Sequence, residues 1–349
     1  MPRSRLLFGA LALVVPLVMG CPGEGEVAPA GRCEALGRLQ ARVGRTVFNP
    51  MPGGDTAVAR WPMPDSMTAR CVADSEEVDC ASFPGTAWDG QDGQRTSPQP
   101  SFAPASAGRV TDTVTGLTWD AQTTTGSWDA AACGCRASTV GAYNDWRLPS
   151  VVEMVSLLDT GTHGFQGISS AWAPGDRTQF WTRDAYAAEV QRAWTLTLEG
   201  PETQDRREVV GFVYFCVRGG SDTTGIRYET TTGVATDLYT GLKWERHPAD
   251  ATLSWSLALA RCANLELEGR TSWRLPSVKE LLTLVDRSRS SPAVDPVTFT
   301  GASLRVRGHW TSTPSAGTRG ESVSVDLDTG AVSAFTDVRG AGGVICVSD

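Results

Sequence analysis

The chain has 349 residues, is 41% hydrophobic and 20% charged, and carries a formal net charge of −8. That length suits two domains with their own cores, and the balance is that of soluble globular protein, which excludes a disordered or fibrous chain. The acidic excess also argues against nucleic acid or other polyanions as general partners.

In chain order, Arg3 and Arg5 precede an apolar run over residues 6–18, the layout of an export signal and too short for a membrane span. The run ends in Val18-Met19-Gly20-Cys21, which resembles a bacterial lipobox. Residues 1–20 are therefore expected to be a lipoprotein signal peptide, and Cys21 the acylated first residue, with a lipid bilayer as its partner. Residues 21–60 are read as anchor and tether with a short helix near 33–43. Residues 61–104, rich in turn formers and carrying Cys71 and Cys80, are expected to form a disulfide-clamped extension packed on the first of two repeats.

The repeats are plain in the sequence. Thr115-Gly116-Leu117-Thr118-Trp119 precedes Trp146-Arg147-Leu148-Pro149-Ser150, and Thr240-Gly241-Leu242-Lys243-Trp244 precedes Trp273-Arg274-Leu275-Pro276-Ser277 at nearly the same distance. A period of ~125 residues is a domain, not a solenoid unit. The copies span 105–219 and 226–349, with Gly219-Gly220-Ser221-Asp222 between them. Each opens with strands around a tight turn, at 110–117 and 234–241. A helix follows, carrying Trp128 and Cys135 or Trp255 and Cys262. A second helix starts after the proline, where Ser150 with Glu153, and Ser277 with Glu280, have the spacing of a capping box. Met154, Leu157 and Leu158 give it an apolar face, as Leu281, Leu284 and Val285 do in the second copy. Short strands close each copy, from Phe180-Trp181-Thr182 and His309-Trp310-Thr311 onward.

Nine cysteines in an exported chain invite disulfides. Cys135 stands at the same offset before Trp146 as Cys262 does before Trp273, and Cys216 and Cys346 each close a copy. The matched spacing pairs Cys135 with Cys216 and Cys262 with Cys346. Cys71 and Cys80 pair as neighbours, which leaves Cys33 for Cys133. Metal binding is the rival for Cys133-Gly134-Cys135, disfavoured by the absence of an accompanying histidine.

Strand-Thr-Gly-Leu-x-Trp, a helical cysteine, Trp-Arg-Leu-Pro-Ser-x-x-Glu, a later aromatic-Trp-Thr and a terminal Cys-Val together resemble the Lcl C-terminal domain family, named after a bacterial collagen-like adhesin. The segment Gly90-Gln91-Asp92-Gly93-Gln94 is similar to one that often precedes such domains. The resemblance implies an α+β fold of two tandem C-type-lectin-like domains, with short strands, two helices each and disulfide staples. It also implies a secreted or surface-attached protein, with adhesion to sulfated glycans as the family's best-understood activity. A pI near 5.1 sets this chain apart, because a binder of sulfated polysaccharide should display basic surface.

Eight of the twelve tryptophans match between copies: 119 with 244, 128 with 255, 146 with 273 and 181 with 310. These are read as core, the expected place for such large rings in a small loop-rich fold. Trp61, Trp88, Trp172 and Trp194 have no counterpart and are ligand candidates. The middle loops differ most. Residues 161–179 offer His163, Phe165 and Trp172, suited to stacking on a neutral sugar. Residues 288–308 offer Arg289, Arg305 and Arg307, suited to a carboxylate or sulfate.

Recurrent acids, Asp112 with Asp237, Glu153 with Glu280 and Asp159 with Asp286, could serve a hydrolase, but turn, cap and helix-end roles account for them. No cofactor is expected. Calcium is the one metal the sequence suggests, through Asn144-Asp145. The expected function is therefore a lipid-anchored, non-catalytic surface protein of the bacterial cell envelope, on the exported side of the membrane. Its ligand would be a glycan or a surface protein. The alternatives are an envelope scaffold without carbohydrate ligand and a glycan hydrolase. Replacing Cys21 by serine should move the protein from the membrane to the soluble fraction, because one polar residue cannot hold what acyl chains hold. Fractionation and acyl labelling check this; an acylated, membrane-bound Cys21→Ser variant would sink the lipobox reading.

Overall fold

Each repeat begins with a hairpin whose turn is dictated by one aspartate. Asp112 Oδ1 accepts from the amides of Val114 (2.9 Å) and Thr115 (3.2 Å), and Thr115 Oγ1 donates to Asp112 Oδ2 at 2.7 Å. Gly116 closes the turn at φ +73°, a left-handed conformation that glycine adopts without a Cβ penalty. Asp237 and Gly241 (φ +81°) build the same turn in the second repeat, with the Tyr239 amide on Asp237 Oδ1 at 3.0 Å. A third such turn, not expected from the sequence, runs from Asp326 to Gly330 (φ +81°), with the amides of Asp328 and Thr329 on Asp326 Oδ1.

The computed structural model describes residues 62–349 apart from 75, 83, 96, 104–105, 121, 123, 161–178, 190, 198–202, 221–226, 307 and 316–320. The extension holds the hairpin β1 (Cys71–Ala73) and β2 (Glu76–Val78). The first repeat comprises β3 (Arg109–Thr111), β4 (Thr118–Asp120), β5 (Thr124–Gly126), α1 (Trp128–Ala137), α2 (Val151–Ser156), β6 (Gln179–Ala185), β7 (Arg192–Thr197), β8 (Thr203–Arg206), β9 (Phe212–Tyr214) and β10 (Val217–Arg218). The second comprises β11 (Tyr228–Thr230), β12 (Val234–Asp237), β13 (Lys243–Glu245), α3 (Trp255–Ala263), α4 (Val278–Thr283), β14 (His309–Pro314), β15 (Glu321–Val325), β16 (Val332–Asp337) and β17 (Val347–Ser348). In each repeat a small sheet joins the opening hairpin to the last strand, β10-β4-β3 in one and β11-β12-β13-β17 in the other. A second sheet forms the middle of each repeat, β5-β9-β6-β7-β8 and β14-β15-β16. The mixed helix-and-sheet organisation and the two tandem copies are as expected.

The matched tryptophans are core. All eight are at most 3% exposed. Four of their indole N–H groups find the same partners in both copies. Trp128 and Trp255 donate to the carbonyls of Thr182 and Thr311, each at 2.7 Å, while Trp181 and Trp310 donate to those of Gly126 (2.9 Å) and Leu253 (2.7 Å). The bridges Cys71–Cys80, Cys135–Cys216 and Cys262–Cys346 are present. The last two span 81 and 84 residues and tie the first helix of each repeat to its closing strand. Loops of that size stabilise by on the order of 4 kcal/mol in the chain-entropy picture. The expected Cys33–Cys133 bridge depends on Cys33, which lies outside the described residues; Cys133 is buried in α1 and disulfide-bonded.

The repeats do not stand apart. One continuous core contains Trp119, Met154, Leu158 and Phe215 of the first repeat with Trp244, Leu281, Leu284 and Ile345 of the second. Short helices α2 and α4 pack against each other across it. A large apolar interface of this kind opposes the independent motion that linked domains otherwise show.

The extension departs from expectation. Rather than packing on the first repeat alone, it reaches across to the second. Val72 is buried with Trp255, Leu259, Trp273 and Trp310, and Trp88 tilts against Trp255 with ring centroids 6.1 Å apart. At its end the extension lies along the first repeat's hairpin, where Ala103 N and Thr113 N bond the carbonyls of Thr111 and Ser101, each at 2.8 Å. The crossing is fixed by Gln91, whose Oε1 accepts from Val72 N (2.8 Å) and whose Nε2 donates to the carbonyls of Val72 (2.7 Å) and Trp88 (2.9 Å). Gly93 is required because a Cβ there would run into the Arg70 carbonyl. Among the described residues no helix is long and apolar enough to cross a membrane. Replacing Trp273 by alanine should cost roughly 3–5 kcal/mol through a cavity shared by α3, β14 and the extension. Thermal melting checks it; an unchanged midpoint would show that the ring is not core.

Candidate functional site

The Trp-Arg-Leu-Pro-Ser-x-x-Glu motif is a three-way clasp. Arg147 pairs its backbone with Val217 (N–O 3.0 and 2.8 Å) and so adds to the sheet that ends the repeat. Slightly further on, the Pro149 carbonyl accepts from Arg183 N of β6 at 2.7 Å. The Arg147 guanidinium grips Glu153 with two bonds, 2.8 Å to Oε2 and 2.6 Å to Oε1. Glu153 also completes the capping box, accepting from Ser150 N at 2.7 Å while Ser150 Oγ accepts from Glu153 N at 3.2 Å. The second repeat repeats this with Arg274 on Glu280 (2.8 and 2.8 Å), Ser277 N on Glu280 (2.8 Å) and Ser312 N on the Pro276 carbonyl (2.7 Å). Capping was foreseen for these glutamates; the bidentate arginine was not, although Arg and Glu recur together in both motifs.

Burial alone would raise the Glu153 carboxyl, but the charge and hydrogen bonds of Arg147, with Arg183 nearby, hold it down at about 2. The same balance with Arg274 and Arg95 lowers Glu280. Asp112 and Asp237 are fully buried turn formers, and Asp237 also receives Arg227 at 3.0 Å. Asp286 accepts from Ser288 N (3.0 Å) and pairs with Arg289 (2.9 Å). Asp112, Asp237, Glu153, Glu280 and Asp286 are thus engaged in holding the fold.

The repeats differ at equivalent places in informative ways. Asp145 forms a two-bonded pair with Arg218 (2.8 and 3.1 Å), and the Arg218 guanidinium lies 3.5 Å from the Tyr143 ring centroid. Ser272 and Ser348 face each other at 3.0 Å in the matching positions of the second repeat. Asp145, the residue through which calcium was considered, thus has its carboxylate paired with a cation. The amide that opens the second helix binds Asp184 Oδ2 (2.7 Å) in one repeat and Thr313 Oγ1 (3.0 Å) in the other. Thr313 in turn donates to Asp92 of the extension at 2.6 Å.

Of the predicted ligand residues, Trp61, His163, Phe165, Trp172 and Arg307 lie outside the described residues. Trp194 is corrected: it is 2% exposed, edge-on to Tyr186 at 5.6 Å, beneath Arg287 and beside Gly330 of the second repeat. It had no counterpart because it seals the contact between repeats. Trp88, half-buried on Trp255, is likewise packing. Arg289 and Arg305 do face solvent. Their loop is held from beneath, with Phe299 edge-on to Tyr228 at 5.2 Å and Leu304 buried. Arg246 bonds the carbonyls of Thr298 (2.8 Å) and Thr231 (2.8 Å), and His247 Nδ1 meets Thr300 Oγ1 at 2.6 Å. The result is a braced loop with Arg289, Arg305 and Val297 (76% exposed) on its outer side.

A buried polar junction was not foreseen. Lys279, 0% exposed on α4, donates from Nζ to the carbonyls of Asp65 (2.9 Å) in the extension and Ser156 (3.3 Å) at the end of α2. Ser66 donates to Asp92, and its carbonyl accepts from Thr160 N (2.8 Å) and Oγ1 (2.6 Å). Burial pushes the Lys279 ammonium down to about 8, against the attraction of Asp65, Asp92, Asp159 and Asp112. Burial raises Asp92, opposed by the Ser66 and Thr313 hydroxyls. One signal was available: of the 31 basic residues, Lys243 and Lys279 alone are lysines, and Lys279 stands where the first motif has Val152.

The lowered Glu153 carboxyl carries a pH prediction. Because its folded value lies below the ordinary 4.5, the stability it contributes is fully present above about 4.5 and is lost as pH falls through about 2. Denaturant titrations between these limits should show a falling midpoint. Replacing Glu153 by glutamine should lower stability at neutral pH by roughly 3–5 kcal/mol, since Arg147 loses its compensating charge, and flatten this acid slope. An unchanged slope would assign it to other carboxylates.

A model of the Lcl C-terminal domain family matches residues 108–218 and 233–348, together well over half of the chain. No curated protein was found to match. Both matched stretches contain the clasp, the helix-to-strand disulfide and the buried tryptophans. The chain belongs to the Lcl C-terminal domain family, of which it carries two tandem copies.

Proposed function

We propose that this is a non-catalytic binding protein of the bacterial cell envelope, anchored to the bilayer through acylated Cys21 and presenting two C-type-lectin-like domains to a glycan or surface protein. The observation that carries the reading is the division of labour among charged groups. The acids shared by the repeats serve turns, caps and arginine clasps, whereas Arg289 and Arg305 stand on a braced loop at the surface. Loops held on a rigid scaffold are where binding residues concentrate. The disulfides fit an oxidising compartment beyond the cytoplasm. A first helix bridged to the last strand, with short sheets between, agrees with a lectin-like arrangement. The alternative, an envelope scaffold with no carbohydrate ligand, is favoured by the net charge of −8 and by the partial neutralisation of Arg289 by Asp286. A hydrolase finds less support: burial raises Asp120, but its counterpart Glu245 is tied to Arg261, so no matched pair of free acids exists among the described residues.

The test is a glycan array probed with residues 22–349. Binding to acidic glycans is expected, weakened several-fold or more when Arg289 and Arg305 are both replaced by alanine, and weakened by salt because exposed charges are screened. Binding indifferent to both changes would move the site off this loop. Silence across the array would favour the scaffold reading, and glycan turnover would revive the hydrolase.

A further inference from the structure

We propose that Lys279 fills, from the second repeat, a cation slot that the first repeat cannot fill for itself, so that the first repeat depends on the second for its native structure. The slot is defined by its occupied form in the second repeat. There the buried turn aspartate, Asp237, and the carbonyl of Thr283 at the end of α4 both receive the Arg227 guanidinium. A helix end offers unpaired carbonyls and the negative end of its dipole, so a cation there is doubly favoured. Arg227 comes from the strand beside the turn, its own carbonyl accepting from Leu238 N at 2.9 Å.

The first repeat has the same two acceptors. Asp112 is the equivalent turn aspartate, 0% exposed, and Ser156 supplies the equivalent carbonyl. The residue in Arg227's register is Ser101, whose carbonyl accepts from Thr113 N at 2.8 Å. Serine brings no charge. The cation found there is Lys279, bonded to the Ser156 carbonyl, and Asp112 is the last of the four carboxylates that attract it, after Asp65, Asp92 and Asp159. Its remaining bond goes to Asp65 of the extension. An ammonium suits this place because it is a compact charge that can lie between carbonyls, which a planar guanidinium fork does less well. In a chain with only two lysines, the choice is pointed. The dependence runs one way at this slot, because Val152 stands at the position of Lys279 in the first repeat and the second repeat's slot is filled by its own Arg227.

Hydrogen exchange on the full chain tests this. Lys279→Ala should lower protection at least tenfold in α2 and in the β3–β4 hairpin, while β14 and β15 hold. Adding Ser101→Arg to that variant should restore much of the lost protection by supplying the cation from the end of the extension, which lies along the first repeat's own hairpin. Loss confined to the second repeat, no loss at all, or no recovery with Ser101→Arg would each overturn the proposal. If Lys279→Ala does not accumulate as folded protein, amine labelling of the unmodified chain decides. Lys243 should label quickly, and Lys279 at the rate at which α2 exchanges its amides. Lys279 labelling at the slower exchange rate of β14 and β15 would show that the two repeats open together and would overturn the one-way dependence.

Discussion

The pairing of Arg147 with Glu153, and of Arg274 with Glu280, is the constraint on which each repeat depends. Four short elements meet there: the closing strand, the middle sheet, the start of the second helix and the extended motif itself. None is long enough to be stable alone; a helix of six residues is well below the length at which propensity sustains it. A bidentate ion pair whose carboxylate also caps a helix fixes all four with one set of directions. Its burial makes it costly to break rather than generously stabilising, because either partner left alone would be an uncompensated charge inside the protein. The disulfide cysteine immediately before the paired strand position then limits how far the closing strand can leave.

Around that shared frame the duplication has diverged by exchanging equivalent contacts. An ion pair, Asp145 with Arg218, stands where two serines meet in the other copy. Asp184 caps from within the first repeat, whereas Thr313 is backed by Asp92 from the extension. Arg183 lies by Glu153, and Arg95 from the extension lies by Glu280. The last two exchanges transfer work from a repeat to the extension. The consequence is a molecule whose parts are interleaved: the extension braces both repeats, and Trp194 of the first lies beside the second's Gly330 turn. Two surfaces carried by such a unit keep a fixed relative orientation, which matters for any ligand that spans both.

Much of the frame was legible in residues. Matched spacing pointed to the Cys135–Cys216 and Cys262–Cys346 bridges, Ser-x-x-Glu marked the helix starts, and recurrence marked the eight buried tryptophans, because each of these is a local or self-repeating signal. The extension's path was not legible. Val72 and Trp88 bury against the repeat that is farther along the chain, and nothing in their own neighbourhood distinguishes that face from the nearer one. Trp194 deceives for a related reason. Absence from the other repeat marks a residue as special, but a contact between repeats is as good a cause of asymmetry as a ligand.

The sequence by itself determined the duplication, three of the disulfides, the two opening turns and the caps of the second helices, since these follow from spacing and from side chains acting on nearby backbone. Only the tertiary structure decided that the two copies share one core, that the motif arginine belongs to the capping glutamate, and that Lys279 lies buried between three segments. Those outcomes turn on which apolar faces and which carbonyls meet after the chain has closed, and burial and charge compensation act between groups that are distant along the chain.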